Sequence, residues 1–255
     1  MKLGMIGFGN MATAMLEGLL LKNTICPRDV YVCAAHYDTL KERAQKYGAN
    51  ACEKAQEVID RCDMILLAVK PYQAQEVCAS LDFKNKTVVS VMAGQPFDKL
   101  SGIVKNGALI CTIPNTPIAV AQGILLVENR TSASEKQYEQ FEQLFSAVSL
   151  IVQVDAEHMN IAMVLSSCAP AFTEMYLEAL GDAGVKYGLK RSEAYDLAAK
   201  MIEGVGALYL AQKNHPGAMK DAVCSPGGTT IKGVCALEKE GFRNAVISAV
   251  DAIEQ

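Results

Sequence analysis

Along the first 150 residues, short apolar runs alternate with stretches whose apolar positions recur every three to four residues. Apolar runs bounded by turn residues read as buried strands, and the longer period reads as helices packed by one face. Residues 2–6 are then a strand, and residues 10–21 a helix with Met11, Met15, Leu16 and Leu19 on one face. Residues 29–33 form a second strand and residues 38–47 a second helix, with further strands at 64–69, 87–91, 108–112 and 149–154. Ser134-Glu135-Lys136-Gln137 has the form of a capping box, opening a helix that carries Tyr138, Phe141, Leu144 and Phe145. Strands separated by helices imply parallel pairing through right-handed crossovers, so the expected fold is a doubly wound α/β sheet.

After Asp155 the strand pattern disappears. Helical periodicity predicts helices near 157–183, 192–213, 217–223, 229–239 and 241–254. The expected organisation is an α/β domain over 1–155 and an all-α domain over 156–255, with no internal repeat. Helices of the second part are apolar on most faces, as in Ile161-Ala162-Met163-Val164-Leu165 and across 194–210. A region of ~100 residues buries only a modest share of its surface alone. A homodimer or higher homo-oligomer formed through the helical domain is therefore expected; packing against the first domain is the other way to cover these faces.

Composition narrows the function classes. With 51% hydrophobic and 20% charged residues, the 255-residue chain has a globular profile. Its net charge of -4 and lack of long Lys/Arg runs give no footprint for nucleic acid or a membrane surface. No run approaches the ~20 apolar residues of a membrane helix. Met1-Lys2-Leu3 begins like a leader, but Gly7, Gly9, Asn10 and Glu17 interrupt it, so residues 1–21 read as strand, turn and helix. The nine cysteines include no Cys-x-x-Cys pair and sit mostly among apolar residues, which suits small core side chains in a reducing, cytoplasmic setting. Histidines at 36, 158 and 215 lack ligand spacing, and no metal is expected.

Gly7-Phe8-Gly9-Asn10-Met11-Ala12 fits G-x-G-x-x-A between a strand and a helix. The first glycine allows the tight turn, the second lets a pyrophosphate approach the backbone, and Ala12 lets the helix pack on the strand. The helix N-terminus then offers N–H donors to phosphate. The first domain is thus expected to be Rossmann-like and to bind a dinucleotide. An acid usually ends the second strand of NAD enzymes. Here Cys33-Ala34-Ala35-His36-Tyr37 has none, while His36 with Lys41 or Arg43 could face a 2'-phosphate. That favours NADPH over NADH, although His36 reads equally well as a solvated loop residue.

Three further stretches extend the pattern: Ala68-Val69-Lys70-Pro71, Ala93-Gly94 and Ile113-Pro114-Asn115-Thr116-Pro117. Cys224-Ser225-Pro226-Gly227-Gly228-Thr229-Thr230-Ile231 follows late in the chain, after His215-Pro216 and Lys220-Asp221. With the glycine turn, these stretches resemble the pyrroline-5-carboxylate reductase family from Met5 to about Ala252. The resemblance implies an NADPH-dependent oxidoreductase, with NADH possible, that reduces the C=N bond of 1-pyrroline-5-carboxylate to L-proline in the last step of proline biosynthesis. It implies that Gly7, Phe8, Gly9, Asn10, Met11, Ala12, Ala68, Val69, Lys70, Pro71, Ala93, Gly94 and Asn115 line the cofactor. It also implies that Gly227, Gly228, Thr229 and Thr230 receive the substrate carboxylate. The residues agree with this, because two glycines leave backbone N–H groups free to converge on an anion at a helix start. On spacing alone, an ordinary helix start after a Pro-Gly turn fits as well, and a strand end with its charge in solvent fits Lys70 equally.

Thr230, and after it Ser225, are the candidates to hydrogen-bond the ring nitrogen. A protonated imine needs little beyond alignment with the nicotinamide. The chain departs from the family at Cys111, where an Arg is common, and at Ser166-Ser167-Cys168-Ala169-Pro170-Ala171-Phe172, where Ser-Gly-Ser-Gly-Pro-Ala-Tyr is common. Two alternatives remain: a reductase of another cyclic imine, or a non-catalytic nucleotide-binding paralogue. A β-hydroxyacid dehydrogenase would need a Lys in the first long helix, and 157–180 contains none.

Overall fold

The computed structural model describes residues 1–254; Gln255, the last residue of the expected helical domain, lies outside them. The chain divides into two compact units, Met1–Ser167 and Cys168–Gln255.

The first unit alternates strands and helices in the order β1 (Leu3–Ile6), α1 (Asn10–Leu21), β2 (Val30–Cys33), α2 (Tyr37–Lys46), β3 (Asn50–Ala51), α3 (Ala55–Arg61) and β4 (Met64–Leu67). It continues through α4 (Ala74–Cys78), β5 (Thr87–Ser90), α5 (Phe97–Leu100), β6 (Ala108–Pro114), β7 (Gly123–Thr131), α6 (Glu135–Phe145), β8 (Ser149–Val154) and α7 (Met159–Met163). Among the described residues these strands form one sheet of order β3-β2-β1-β4-β5-β6-β7-β8. Strand order reverses between β1 and β4, and in open α/β sheets a ligand crevice opens at such a point.

Apolar side chains fill both faces of the sheet. One core holds Met5, Met15, Leu16, Phe141 and Phe145, from β1, α1 and α6. The other holds Ile6, Val58, Ile65, Phe83 and Cys111, on the face covered by α3, α4 and α5. Strands buried on both faces read as continuous apolar runs, which is why β4 and β5 stood out in the sequence. The capping box forms: Ser134 Oγ accepts from Gln137 N and Gln137 Oε1 from Ser134 N.

Two expectations are corrected. Pairing is not parallel throughout: β7, which the apolar pattern did not single out, runs antiparallel to β6. Only residues 115–122 join these strands. A parallel return needs a crossover of about a dozen residues or more, so the chain turns back instead. The helix expected over 157–183 is also not uniform. It passes through a π-helical turn at Val164–Cys168. Pro170 lacks an N–H and cannot donate to the Ser166 carbonyl four residues earlier.

The second unit is helical, with α8 (Ala169–Lys186), α9 (Arg191–Gln212), α10 (Pro216–Ala222), α11 (Thr229–Lys239) and α12 (Phe242–Glu254). Helices α8 and α9 pack closely, with Gly184 against Ala194 and Gly181 against the Tyr195 ring. Outward, α9 exposes Leu197 (65%), Val205 (56%) and Leu210 (56%), an apolar load that its own unit leaves uncovered. No helix among the described residues is long and apolar enough to cross a membrane.

Candidate active site

At the C-terminal edge of the first unit's sheet, β1, β2 and β4 bring the glycine turn against its neighbours. Gly7 N donates to Cys33 O at 2.8 Å, and Ala68 N to Ile6 O at 2.8 Å. Gly7 has φ +89°, and a Cβ there would stand 2.5 Å from Ala68 O, so only glycine fits. Gly9, the N-cap of α1, is different: its φ is -89° and nothing lies within 4 Å of a Cβ there. That open space faces a helix start with no side-chain cap, so its N–H groups are available to an anion. Ala12 is buried and seats α1 on the sheet, whereas Asn10 is exposed. These features fit a dinucleotide pyrophosphate.

The other residues expected to bind the cofactor take varied positions. Phe8 is buried, with its ring centroid 6.1 Å from that of Tyr47 in a T-shaped pair and Arg43 over its ring. Met11 is half-buried. His36 is exposed and caps α2 through its backbone only. Lys41 is exposed, while Arg43 donates to Thr13 Oγ1 at 3.0 Å, a link between α2 and α1 that the sequence did not reveal. Ala68 and Val69 are half-buried beyond β4, and Lys70 and Pro71 are exposed. Ala93 and Gly94 are exposed beyond β5.

Asn115 is 5% exposed, and both ends of its amide are engaged. Its Oδ1 accepts from Ile124 N at 2.7 Å and its Nδ2 donates to Ser166 O at 2.9 Å. Beside it, Ser167 Oγ donates to Pro114 O at 3.3 Å. The side chain of Asn115 therefore ties the β6–β7 connection to the π turn.

In the second unit, Ser225-Pro226-Gly227-Gly228 forms a tight turn closed by Gly228 N to Ser225 O at 3.0 Å. Proline second and glycine third, with Gly227 at φ +71°, suit a type II turn. Gly228 caps α11 without a side-chain bond, leaving the first-turn N–H groups of that helix available. A Cβ on Gly228 would collide with Ser225 Oγ, so that hydroxyl lies directly over the helix start. Thr229 and Thr230 are exposed in the first turn. Before this turn, His215 Nδ1 accepts from Gly217 N at 3.0 Å and Lys220 pairs with Asp221.

Comparison with known proteins places this arrangement. A pyrroline-5-carboxylate reductase from Treponema pallidum (strain Nichols) is 38% identical over 99% of this chain and 98% of its own. The chain belongs to the pyrroline-5-carboxylate reductase family. The enzyme of that name from Escherichia coli (strain K12) is 37% identical over 98% of this chain and 94% of its own. Residues 156–255 match the family model described as pyrroline-5-carboxylate reductase dimerisation. Residues 2–94 match one described as NADP oxidoreductase, coenzyme F420-dependent. Among solved structures, the Plasmodium falciparum pyrroline carboxylate reductase with NADP bound superposes with a TM-score of 0.86 at 28% identity, over 99% of this chain and 95% of that one. Within the family, this chain's Cys111 is a buried thiol pushed up to about 12, chiefly by burial.

Proposed function

We propose that this chain is an NADPH-dependent pyrroline-5-carboxylate reductase, reducing the C=N bond of 1-pyrroline-5-carboxylate to L-proline. What carries the assignment is likeness along the whole chain to reductases of that name, through both the glycine turn and the Ser225–Thr230 loop. The reaction is the closing step of proline biosynthesis, in the cytoplasm. The working form is a homo-oligomer built through the helical unit, consistent with the dimerisation model that matches it.

Bound NADPH supplies the hydride and NADH is the weaker substitute; the NADP bound in the Plasmodium relative supports the choice. Gly7, Gly9 and Asn10, with the first turn of α1, hold the pyrophosphate through backbone N–H groups. His36 and Lys41 face the 2'-phosphate. Ala68, Val69, Lys70 and Pro71, with Ala93 and Gly94, form the walls along the rest of the dinucleotide. Phe8, Met11 and Ala12 support the turn from beneath, and Asn115 fixes the wall by holding the chain beyond β6.

The substrate carboxylate is received at the start of α11, where Gly227 and Gly228 leave the N–H groups bare and Thr229 and Thr230 add hydroxyls. That anchoring fixes which face of the ring is presented. The Thr230 hydroxyl orients or protonates the ring nitrogen, with Ser225 second in that role. Once the imine is protonated, alignment and exclusion of water account for most of the remaining catalysis.

The test is loss of NADPH absorbance when purified protein meets 1-pyrroline-5-carboxylate, compared with bulkier cyclic imines. Proline formation at the rate of NADPH loss is expected. Turnover restricted to bulkier imines would move the assignment within imine reductases. NADPH binding without turnover of any imine would leave a nucleotide-binding paralogue.

A further inference from the structure

Arg43 reaches from α2 to the start of α1. Its Nη2 donates to Thr13 Oγ1 at 3.0 Å, and its guanidinium lies over the Phe8 ring, 5.5 Å from the centroid. Tyr47, just after α2, meets the same ring in a T-shaped pair and donates its hydroxyl to Glu17 Oε1 at 2.7 Å. Thr13 passes the Arg43 contact on. Its Oγ1 donates to Gly9 O at 2.7 Å, the carbonyl that also accepts Thr13 N at 3.0 Å. A hydroxyl has one proton to give, so with that proton on Gly9 O its oxygen is set to accept from Arg43. Gly9 O and Asn10 N–H belong to one peptide unit. A trans peptide is planar, with its C=O and N–H pointing opposite ways. Holding Gly9 O toward the body of α1 therefore aims Asn10 N–H out of the helix start, where the pyrophosphate is received.

We infer that Arg43 is a positioning residue for the dinucleotide: through Thr13 and Phe8 it holds the glycine turn and Asn10 N–H in the orientation that receives the pyrophosphate. The inference rests on the reading of Gly7–Ala12 as the cofactor turn. A guanidinium suits the task, because its planar face stacks on a ring while its edge donates a hydrogen bond. This commitment leaves the 2'-phosphate to His36 and Lys41. NADPH and NADH share the pyrophosphate, so losing the support weakens both by the same factor. A direct contact to the 2'-phosphate would instead serve NADPH alone. A long-range charge effect would also act more on NADPH, which carries the additional phosphate charge.

The experiment titrates the full chain with NADPH and with NADH by fluorescence, and thermal unfolding scores the stability of each variant. Arg43→Met should weaken both dinucleotides about ten-fold, the loss expected for one charged hydrogen bond, with the ratio of the two dissociation constants unchanged. Thr13→Val removes the relaying hydroxyl and should weaken both in the same sense, whereas Thr13→Ser restores it and should bind both as the parent does. Because the two residues act on one relay, the losses should not multiply in the Arg43→Met, Thr13→Val double variant. A loss confined to NADPH, a lowered melting temperature with both affinities unmoved, losses that multiply, or Thr13→Ser binding as poorly as Thr13→Val would overturn the inference. Thr13→Val set against Thr13→Ser decides the matter if Arg43→Met does not fold. A parent protein that binds neither dinucleotide would overturn the cofactor reading itself, and this inference with it.

Discussion

Asn115 Nδ2 donates to the carbonyl of Ser166 at 2.9 Å, across 51 residues of sequence. This is the carbonyl that Pro170 leaves without its usual helical donor. The amide of Asn115 thus completes a helix interrupted by proline, while its oxygen accepts from Ile124 N at the start of β7. Replacing it with alanine strands two part-buried or buried backbone groups at once. Asn115→Ala is expected to cost about 1–3 kcal/mol for each group left unsatisfied. The urea midpoint measures this, and an unchanged midpoint would remove Asn115 from the framework.

Gly7 and Gly9 should fail in different ways. Gly7→Ala places a methyl against Ala68 O and forces alanine to φ +89°, so a stability loss of about 1–3 kcal/mol should accompany lost NADPH binding. Gly9→Ala meets nothing within 4 Å in the protein, so stability should change by less than about 0.5 kcal/mol. Its methyl would instead stand where the pyrophosphate approaches, and NADPH affinity should fall about ten-fold or more. Thermal unfolding paired with fluorescence titration separates the two; equal behaviour of both variants would contradict the assigned roles.

Thr230→Ala should lower kcat/KM by about ten-fold to a thousand-fold, the range of one lost transition-state hydrogen bond. Thr230 is exposed in the first turn of α11, so the fold should tolerate the change. Steady-state kinetics on the folded variant decide the matter, and an unaltered kcat/KM would shift attention to Ser225.

The uncovered side chains of α9 predict association. Size-exclusion chromatography with light scattering should give a dimer or larger species at micromolar concentration. Val205→Asp places a charge on a face that carries Leu197 and Leu208, and should shift the population toward monomer. A monomeric parent protein would count against the interface.

Thiol labelling should divide the nine cysteines. Burial pushes the pKa values of Cys62 and Cys111 up to about 12 and that of Cys78 up to about 11, and raises those of Cys33 and Cys52. A thiol reacts as its thiolate, so at neutral pH these five should label only as the protein unfolds, whereas exposed Cys26 labels at once. Mass spectrometry of a time course checks this; rapid labelling of Cys62 in the native state would contradict it.

Much of this protein is written locally. The alternation of apolar strand and amphipathic helix, the glycine demanded at φ +89° by the turn after β1, and the Ser134–Gln137 capping box each depend on residues a few positions apart, and the sequence alone determined them. The Pro-Gly turn before α11 belongs with them. Other features exist only through distant partners. Direction and edge pairing decided β7, because a connection of eight residues is too short for a crossover and the strand's polar end obscured its apolar run. Nothing local marks Asn115 as the donor for a carbonyl 51 residues away, or Arg43 as the partner of Thr13. Periodicity encodes which face a residue presents, but only folding decides what that face meets, and burial and hydrogen-bond satisfaction are properties of the meeting.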